Sequence, residues 1–346
     1  MATGRSRGLV LLGLLTLTAG LYLPLRAAPF VYEDFHWQGG LPTPQGWQLP
    51  SRALSMASFD LTRTAPAAHL ANVGLHLANG ALVYGVAAAL IPGAAAVWAA
   101  GVWLLHPLNS AAVSYVSART DLLMTCGVLL AVWGSLRASW WGWGVTALGA
   151  LMAALSKEIG LVAFPLVWMT QVVWRPQTWL ARWGWVGIAL GAGLVARTTL
   201  SHFLTNTPEL GGSPLFWPQF LVLQLSALWH LLALVPPSPE WRSGFSIDHD
   251  VLAIGAAGQV TAVMLTGLVL AVAAALWRVS AMTVWVVGWV SVALLPRFVV
   301  RSSEFVTEPQ MYLSMVGISL GLGVLAARLW AWRSSPQKAM VYGKAA

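Results

Sequence analysis

The sequence predicts an all-α protein, a polytopic bundle of about 10–11 membrane-spanning helices. Three observations carry that reading. Of the 346 residues, 58% are hydrophobic and only 9% are charged. The mean hydropathy is +0.71. Apolar runs of roughly 17–25 residues, the length a helix needs to cross a bilayer, follow one another with short polar joints. A membrane β-barrel would alternate polar and apolar residues in short segments, and no such pattern occurs. No internal repeat or soluble domain is visible, so 1–346 reads as a single integral-membrane domain.

The elements are expected in this order. A first crossing at 8–25 follows Arg5 and Arg7 and ends in Pro24-Leu25-Arg26. It resembles a signal peptide but has no clear small-residue cleavage site, so it reads as a retained helix. A first extracytoplasmic loop then spans 26–66, in which Ser51–Phe59 has the spacing of a short amphipathic helix lying on the membrane. Further crossings are expected at 67–91, 94–112, 120–136, 140–156, 159–174, 183–200, 251–277, 281–296 and 310–331. A second large extracytoplasmic loop spans 201–250. Its stretch 216–236 is apolar, but Gln219, Gln224 and His230 interrupt it and Pro236-Pro237 ends it. That stretch is read as an interfacial or re-entrant element.

Charge gives the expected topology. With the N-terminus in the cytoplasm, Arg5, Arg7, Arg137, Arg175, Arg182, Arg278, Arg328, Arg333, Lys338 and Lys344 fall inside, together with the C-terminus. The inner joints carry no acid, while Glu33, Asp34, Asp60, Asp121, Glu158, Glu209, Glu240, Asp248, Asp250, Glu304 and Glu308 all fall outside. The net charge of +8 is not a nucleic-acid signal, because the basic residues are scattered over segment ends. Cys126, the one cysteine, lies in an apolar run and offers neither a disulfide nor a metal-type spacing.

Five polar constellations stand out against this background. Glu33 and Asp34 sit side by side after the first crossing, flanked by Tyr32, Phe35 and Trp37. Carboxylates are costly in lipid and are the usual bases for activating a hydroxyl, so this pair is a candidate site. A hydrated loop is the bland alternative. His106-Pro107-Leu108-Asn109 precedes Arg119-Thr120-Asp121, where Pro107 breaks one helix and Asp121 favours the positive end of the next. This is a capped helix with an interfacial arginine, or the rim of a cavity. Ser156-Lys157-Glu158 sits where two runs meet, as a surface pair or a phosphate contact. His69, Asn72, His76 and Asn79 share one helix face, and interhelical hydrogen bonding is the favoured reading. Arg297 and Arg301, spaced i, i+4, form either a phosphate fork or two snorkelling interfacial residues. Under one topology all five reach the same outer face.

The order of these motifs resembles a known family. Phe30–His36, Ala68–Leu77, His106–Asn109 with Arg119–Leu123, Ser156–Glu158 and Glu308 through Tyr312 to Gly317 are similar to stretches of the GT-C superfamily of polytopic glycosyltransferases. The closest likeness is to the transmembrane and tetratricopeptide-repeat-containing protein O-mannosyltransferases and their bacterial relatives. The likeness runs in order along nearly the whole chain. It implies a GT-C-like bundle that moves a sugar from a polyprenyl-phosphate donor to an acceptor protein or glycan on the extracytoplasmic side. Asp34, with Glu33 beside it, would supply the base. His106, Arg119, Asp121, Lys157, Glu158, Arg297, Arg301 and Tyr312 would line the donor phosphate and substrate. No cofactor and no metal-ligand set is read from the residues, and a need for a divalent metal is left open.

The chain departs from the family pattern in three places. It has Glu33-Asp34 where relatives carry two aspartates, Pro309 where they carry an arginine after the glutamate, and no tetratricopeptide repeats. The alternative expectation is therefore a catalytically degenerate accessory or structural subunit with membrane-protein partners. In either case the expected setting is a bacterial inner (plasma) membrane, among lipids and without nucleic acid.

Overall fold

A computed structural model describes residues 4–38, 50–91, 93–137, 139–184, 186, 209–210, 213–214, 217–236, 255–276, 280–299 and 306–334. Its α-helices are α1 (Gly4–Tyr22), α2 (Ala53–Asp60), α3 (Ala65–Leu90), α4 (Ala95–Leu105), α5 (Ser110–Ser114) and α6 (Arg119–Ser135). They continue as α7 (Trp140–Ser156), α8 (Ala163–Trp174), α9 (Trp217–Ala233), α10 (Ala256–Leu276), α11 (Ala281–Val299) and α12 (Glu308–Ser334). Single 3-10 turns link several of them, notably at Tyr32–Gln38, Pro50–Arg52, Val116–Ala118 and Glu158–Val162. The only strand pairing among the described residues is the two-residue antiparallel match of Glu209–Leu210 with Ser213–Pro214. The protein is an all-α polytopic bundle.

Five described helices are long and apolar enough to cross a membrane, starting at Ser6, Ala65, Val116, Ala281 and Glu308. A sixth span forms if α4 and the Pro107–Ser114 segment, bent by 55°, count as one. The expected count of about 10–11 is therefore not reached on length among the described residues. Several crossings are shorter than the run that suggested them. Pro107 ends α4 at Leu105, and the 159–174 run begins as a 3-10 turn before α8 takes over. The expected crossing at 183–200 lies almost wholly outside the described residues.

The Val116–Ser135 span is 89% buried inside the protein, whereas Ser6–Ala27 is 6% buried. The central span is α6, and glycines let α7 lie against it. A Cβ on Gly134 would stand 2.7 Å from the Gly142 carbonyl oxygen, and one on Gly149 would meet the α6 backbone at Gly127 and Ala131. In lipid, where burying apolar surface between helices gains little, such close backbone approach is a principal source of helix association. On the other side of α6, Asn79 of α3 donates to the Leu122 carbonyl at 3.0 Å.

The expected polar stripe on α3 holds the bundle together. Asn72 donates to the Val113 and Tyr115 carbonyls at 3.3 and 3.1 Å. The His76 ring bridges the Tyr312 hydroxyl at 2.8 Å and the Leu104 carbonyl at 3.1 Å. A carbonyl only accepts, so His76 Nε2 carries the proton and Nδ1 accepts from Tyr312. His69 is buried, and neither of its ring nitrogens has a hydrogen-bond partner.

These contacts sort the helices into two ends. Arg119, Lys157 and the start of α12 belong to one, here the loop end. The α6–α7 turn, the end of α8 and the end of α12 belong to the other, here the basic end. Most of the stretch 216–236 is α9, which bonds to groups of the loop end. Its Gln224 side chain reaches the Arg297 carbonyl at 3.2 Å and the Val306 amide at 2.9 Å. Eleven residues later, Val235 accepts a hydrogen bond from His106 at 2.8 Å. These bonds tie the middle of α9 and the residues just after it to groups of the loop end, and Trp229 of α9 donates to the Thr266 hydroxyl of α10 at 2.8 Å.

Candidate functional site at the loop end

The sequence places α2 on the membrane surface, but its polar groups turn inward onto the bundle. Ser55 donates to the Ser156 carbonyl at 2.7 Å, and Phe59 is buried with Phe30, Ala68 and Val116 in a small cluster of its own. Arg52, just before the helix, chelates Glu158 through Nε and Nη2, the latter at 3.0 Å. The strap of residues 50–62 is thus fastened across the loop end.

Under it lies Arg119, wholly buried. Its Nε donates to Asn72 Oδ1 at 2.8 Å, one Nη to the Ser58 carbonyl and the Thr62 hydroxyl, and the other to the Ala68 carbonyl at 2.8 Å. The guanidinium also lies 4.7 Å from the centre of the Phe59 ring. A buried cation is tolerable only with its donors satisfied, and here α2 and α3 satisfy them. Arg119 therefore joins the first loop to the bundle and spends its hydrogen bonds on the protein itself.

Glu33 and Asp34 part company. Asp34 is fully buried. Its carboxylate accepts from the Ser117 amide at 2.7 Å, the Ser117 hydroxyl at 2.8 Å, and the Val116 and Val31 amides at 3.3 and 3.4 Å. Those donors fill the acceptor capacity of a carboxylate. Glu33 is exposed, and its backbone amide donates to the Tyr115 hydroxyl at 3.3 Å. Burial, and then the negative charge of Glu33, push the Tyr115 phenol up to about 12, so it stays protonated beside the acid pair.

Lys157 and Glu158 do not pair with each other. Lys157 Nζ lies 2.7 Å from both oxygens of Asp121, with side-chain exposures of 10% and 7%. Glu158 holds Arg52, and both Arg52 and Arg297 stand near enough to repel the Lys157 charge. Three cations, Arg52, Lys157 and Arg297, thus meet two carboxylates, Asp121 and Glu158. Arg297 is half-buried, near the end of α11.

The remaining expected residues lie elsewhere or serve the scaffold. His106 accepts from the Leu108 amide through Nδ1 and donates to Val235 through Nε2, which fixes its tautomer and pins α9. Tyr312 is fully buried between His76 and Trp103, with Asn79 donating to its hydroxyl at 3.3 Å. Arg301 lies outside the described residues. Glu308 and Pro309 open α12, where a proline fits because the first-turn amides have no helical acceptor. Among the described residues no three His, Cys, Asp or Glu side chains gather as a metal site.

Sequence reasoning missed Arg52, Asn72 as a ligand of Arg119, and Ser117. An arginine at the start of an otherwise weakly polar helix was the available signal for Arg52. Nothing in the sequence marked Ser117, because a serine amide aimed at a carboxylate is set by tertiary structure alone. Comparisons of the chain with protein-family models, with curated proteins and with solved structures gave no match.

Proposed function

We propose that the chain is a glycosyltransferase that moves a sugar from a polyprenyl-phosphate donor to an acceptor hydroxyl at the loop end, on the extracytoplasmic side of a plasma membrane. One observation carries this reading: charged residues scattered from the first loop to α11 converge on one end of an otherwise apolar bundle. Ionisable groups kept in such a place point to function.

The geometry divides the labour. Glu33, exposed and tethered through its own amide, takes the proton of the acceptor hydroxyl as that oxygen bonds to the anomeric carbon. Asp34, with its acceptor sites filled, holds the loop against residues 116–117. The bond from the anomeric carbon to the phosphate oxygen breaks, and the electron pair leaves with the polyprenyl phosphate. Lys157, Arg297 and Arg52 stabilise that departing charge. Arg119 positions the strap without touching substrate.

The test is transfer of labelled sugar from a polyprenyl-phosphate donor by the purified protein in lipid. Glu33→Gln should lower transfer by about a hundred-fold or more, the usual worth of a general base. Asp34→Asn should lower transfer together with loop order. Full transfer by Glu33→Gln would remove the base.

A second reading is favoured by the extent to which Arg119, Asp34, Tyr312 and Lys157 are satisfied by the protein itself. On that reading the chain is a degenerate accessory subunit of a membrane assembly. Copurification of a stable membrane partner, with no donor consumed, is its signature.

A further inference from the structure

We infer that Gln224 is a positioning residue for the proposed transfer, an assignment that rests on that reading: its side-chain amide fixes the main chain of Arg297 and, through it, the cation set against the donor phosphate. Gln224 itself touches neither sugar nor phosphate.

Gln224 breaks the pattern of its helix. Phe220, Leu223, Ala227 and Leu231 are buried along one face of α9, and Gln224 is buried among them. It is fully enclosed. An amide in such a place costs free energy unless its oxygen and its nitrogen both find partners. Both partners are main-chain groups, at the ends of two other helices. Nε2 donates to the Arg297 carbonyl at 3.2 Å, and Oε1 accepts from the Val306 amide at 2.9 Å.

These are groups that α11 and α12 do not satisfy by themselves. Arg297 lies in the last turn of α11, where carbonyls have no donor ahead of them in the helix. Pro296, immediately before it, brings no N–H and crowds the carbonyl four residues back. The turn that carries Arg297 is thus weakly held by its own helix. Val306 precedes Glu308, the first residue of α12, so its amide takes an acceptor from outside that helix. One side chain therefore clamps the exit of α11 to the entry of α12. The clamp has a fixed base, because Trp229 of α9 donates to the Thr266 hydroxyl of α10 and Val235 accepts from His106.

Electrostatics gives the clamp its task. Arg297 stands near enough to Lys157 to repel its charge. Like charges move apart when their backbones are free to do so. An amide bonded on both sides holds the two cations together before a phosphate arrives, which is the preorganisation that electrostatic catalysis needs.

The test is transfer of labelled sugar by the whole chain in lipid, read as a double-mutant cycle. Gln224→Leu should lower transfer by roughly ten- to a hundred-fold, the scale of a small misplacement of a reacting group. In an Arg297→Gln background it should lower transfer no further, because the residue acts only through Arg297. Exchange of the Val306 amide should quicken in Gln224→Leu while exchange in α6 stays unchanged. Gln219→Leu, at an exposed position of the same helix, should leave transfer intact. Gln224→Met, flexible and close in length, repeats the cycle if the leucine variant does not fold. The inference falls if neither variant folds, if the loss is equal in both backgrounds, or if Arg297→Gln has no effect. Full transfer by folded Gln224→Leu, beside lost transfer in Glu33→Gln, overturns the inference and leaves the transfer reading standing. An unmodified protein that transfers nothing removes that reading, and the inference with it.

Discussion

The two ends of the bundle use the same residue type in opposite ways. At the loop end Arg52 chelates Glu158, Arg119 spends its hydrogen bonds on Asn72, Thr62 and two carbonyls, and Lys157 grips Asp121. At the basic end Arg182, Arg328 and Arg333 lie exposed. Net charge alone does not separate the two. What separates them is whether carboxylates of the described helices lie beside the bases. Charges paired across helices are drawn inward at the loop end, whereas the arginines of the basic end stay at the surface.

The largest test of this contrast is the buried pair. Asp121→Asn should cost about 3–5 kcal/mol in thermal unfolding of the detergent-solubilised protein, because Lys157 is left charged and buried. Asp121→Asn combined with Lys157→Met should recover most of that loss, since no ion remains to be paired. Equal losses in the single and double variants would mean that the pair is not the reason.

Glycine at the α6–α7 contact comes next. Gly149→Leu forces side-chain volume into the α6 backbone and should destabilise by about 1–3 kcal/mol or more. Gly267→Leu, where nothing lies within 4 Å, should be silent in the same melt.

A smaller effect is expected at the strap. The Arg52–Glu158 pair is less buried than Lys157–Asp121, with exposures of 16% and 13%, so Arg52→Gln should cost less than Asp121→Asn. Its mark is local: hydrogen exchange over residues 50–62 should quicken while α6 exchange stays unchanged. Exchange that speeds up equally in both would show that the strap is part of the core.

The smallest effect belongs to His69. An unsatisfied buried ring is no asset to stability, so His69→Leu should be neutral or slightly stabilising. A loss of sugar transfer without a loss of stability in that variant would move His69 from scaffold to site.

Much of the fold was legible because apolar length is a local property. The expected run 140–156 is α7 residue for residue, and 120–136 differs from α6 by one residue at each end. The break at Pro107 was also readable, from a proline. The α3 stripe was readable as interhelical bonding because its spacing is helical. The docking of α2 was not. Its spacing fits a membrane surface as well as a protein surface, and only the positions of Ser156, Glu158 and Arg119 decide between them.

The sequence by itself determined that this chain is a helical membrane protein with its acids kept to some joints and excluded from others, since lipid admits few other backbones and penalises every stray charge. Only the tertiary structure decided which charge answers which. Asp34 and Glu33 are neighbours in the chain, yet one is enclosed by the amides of residues 31, 116 and 117 while the other faces outward. Lys157 turns from adjacent Glu158 to Asp121 on another helix. Hydrogen bonds reach only about 3 Å, so their partners are chosen by the packing of helices far apart in sequence, which no spacing along the chain records.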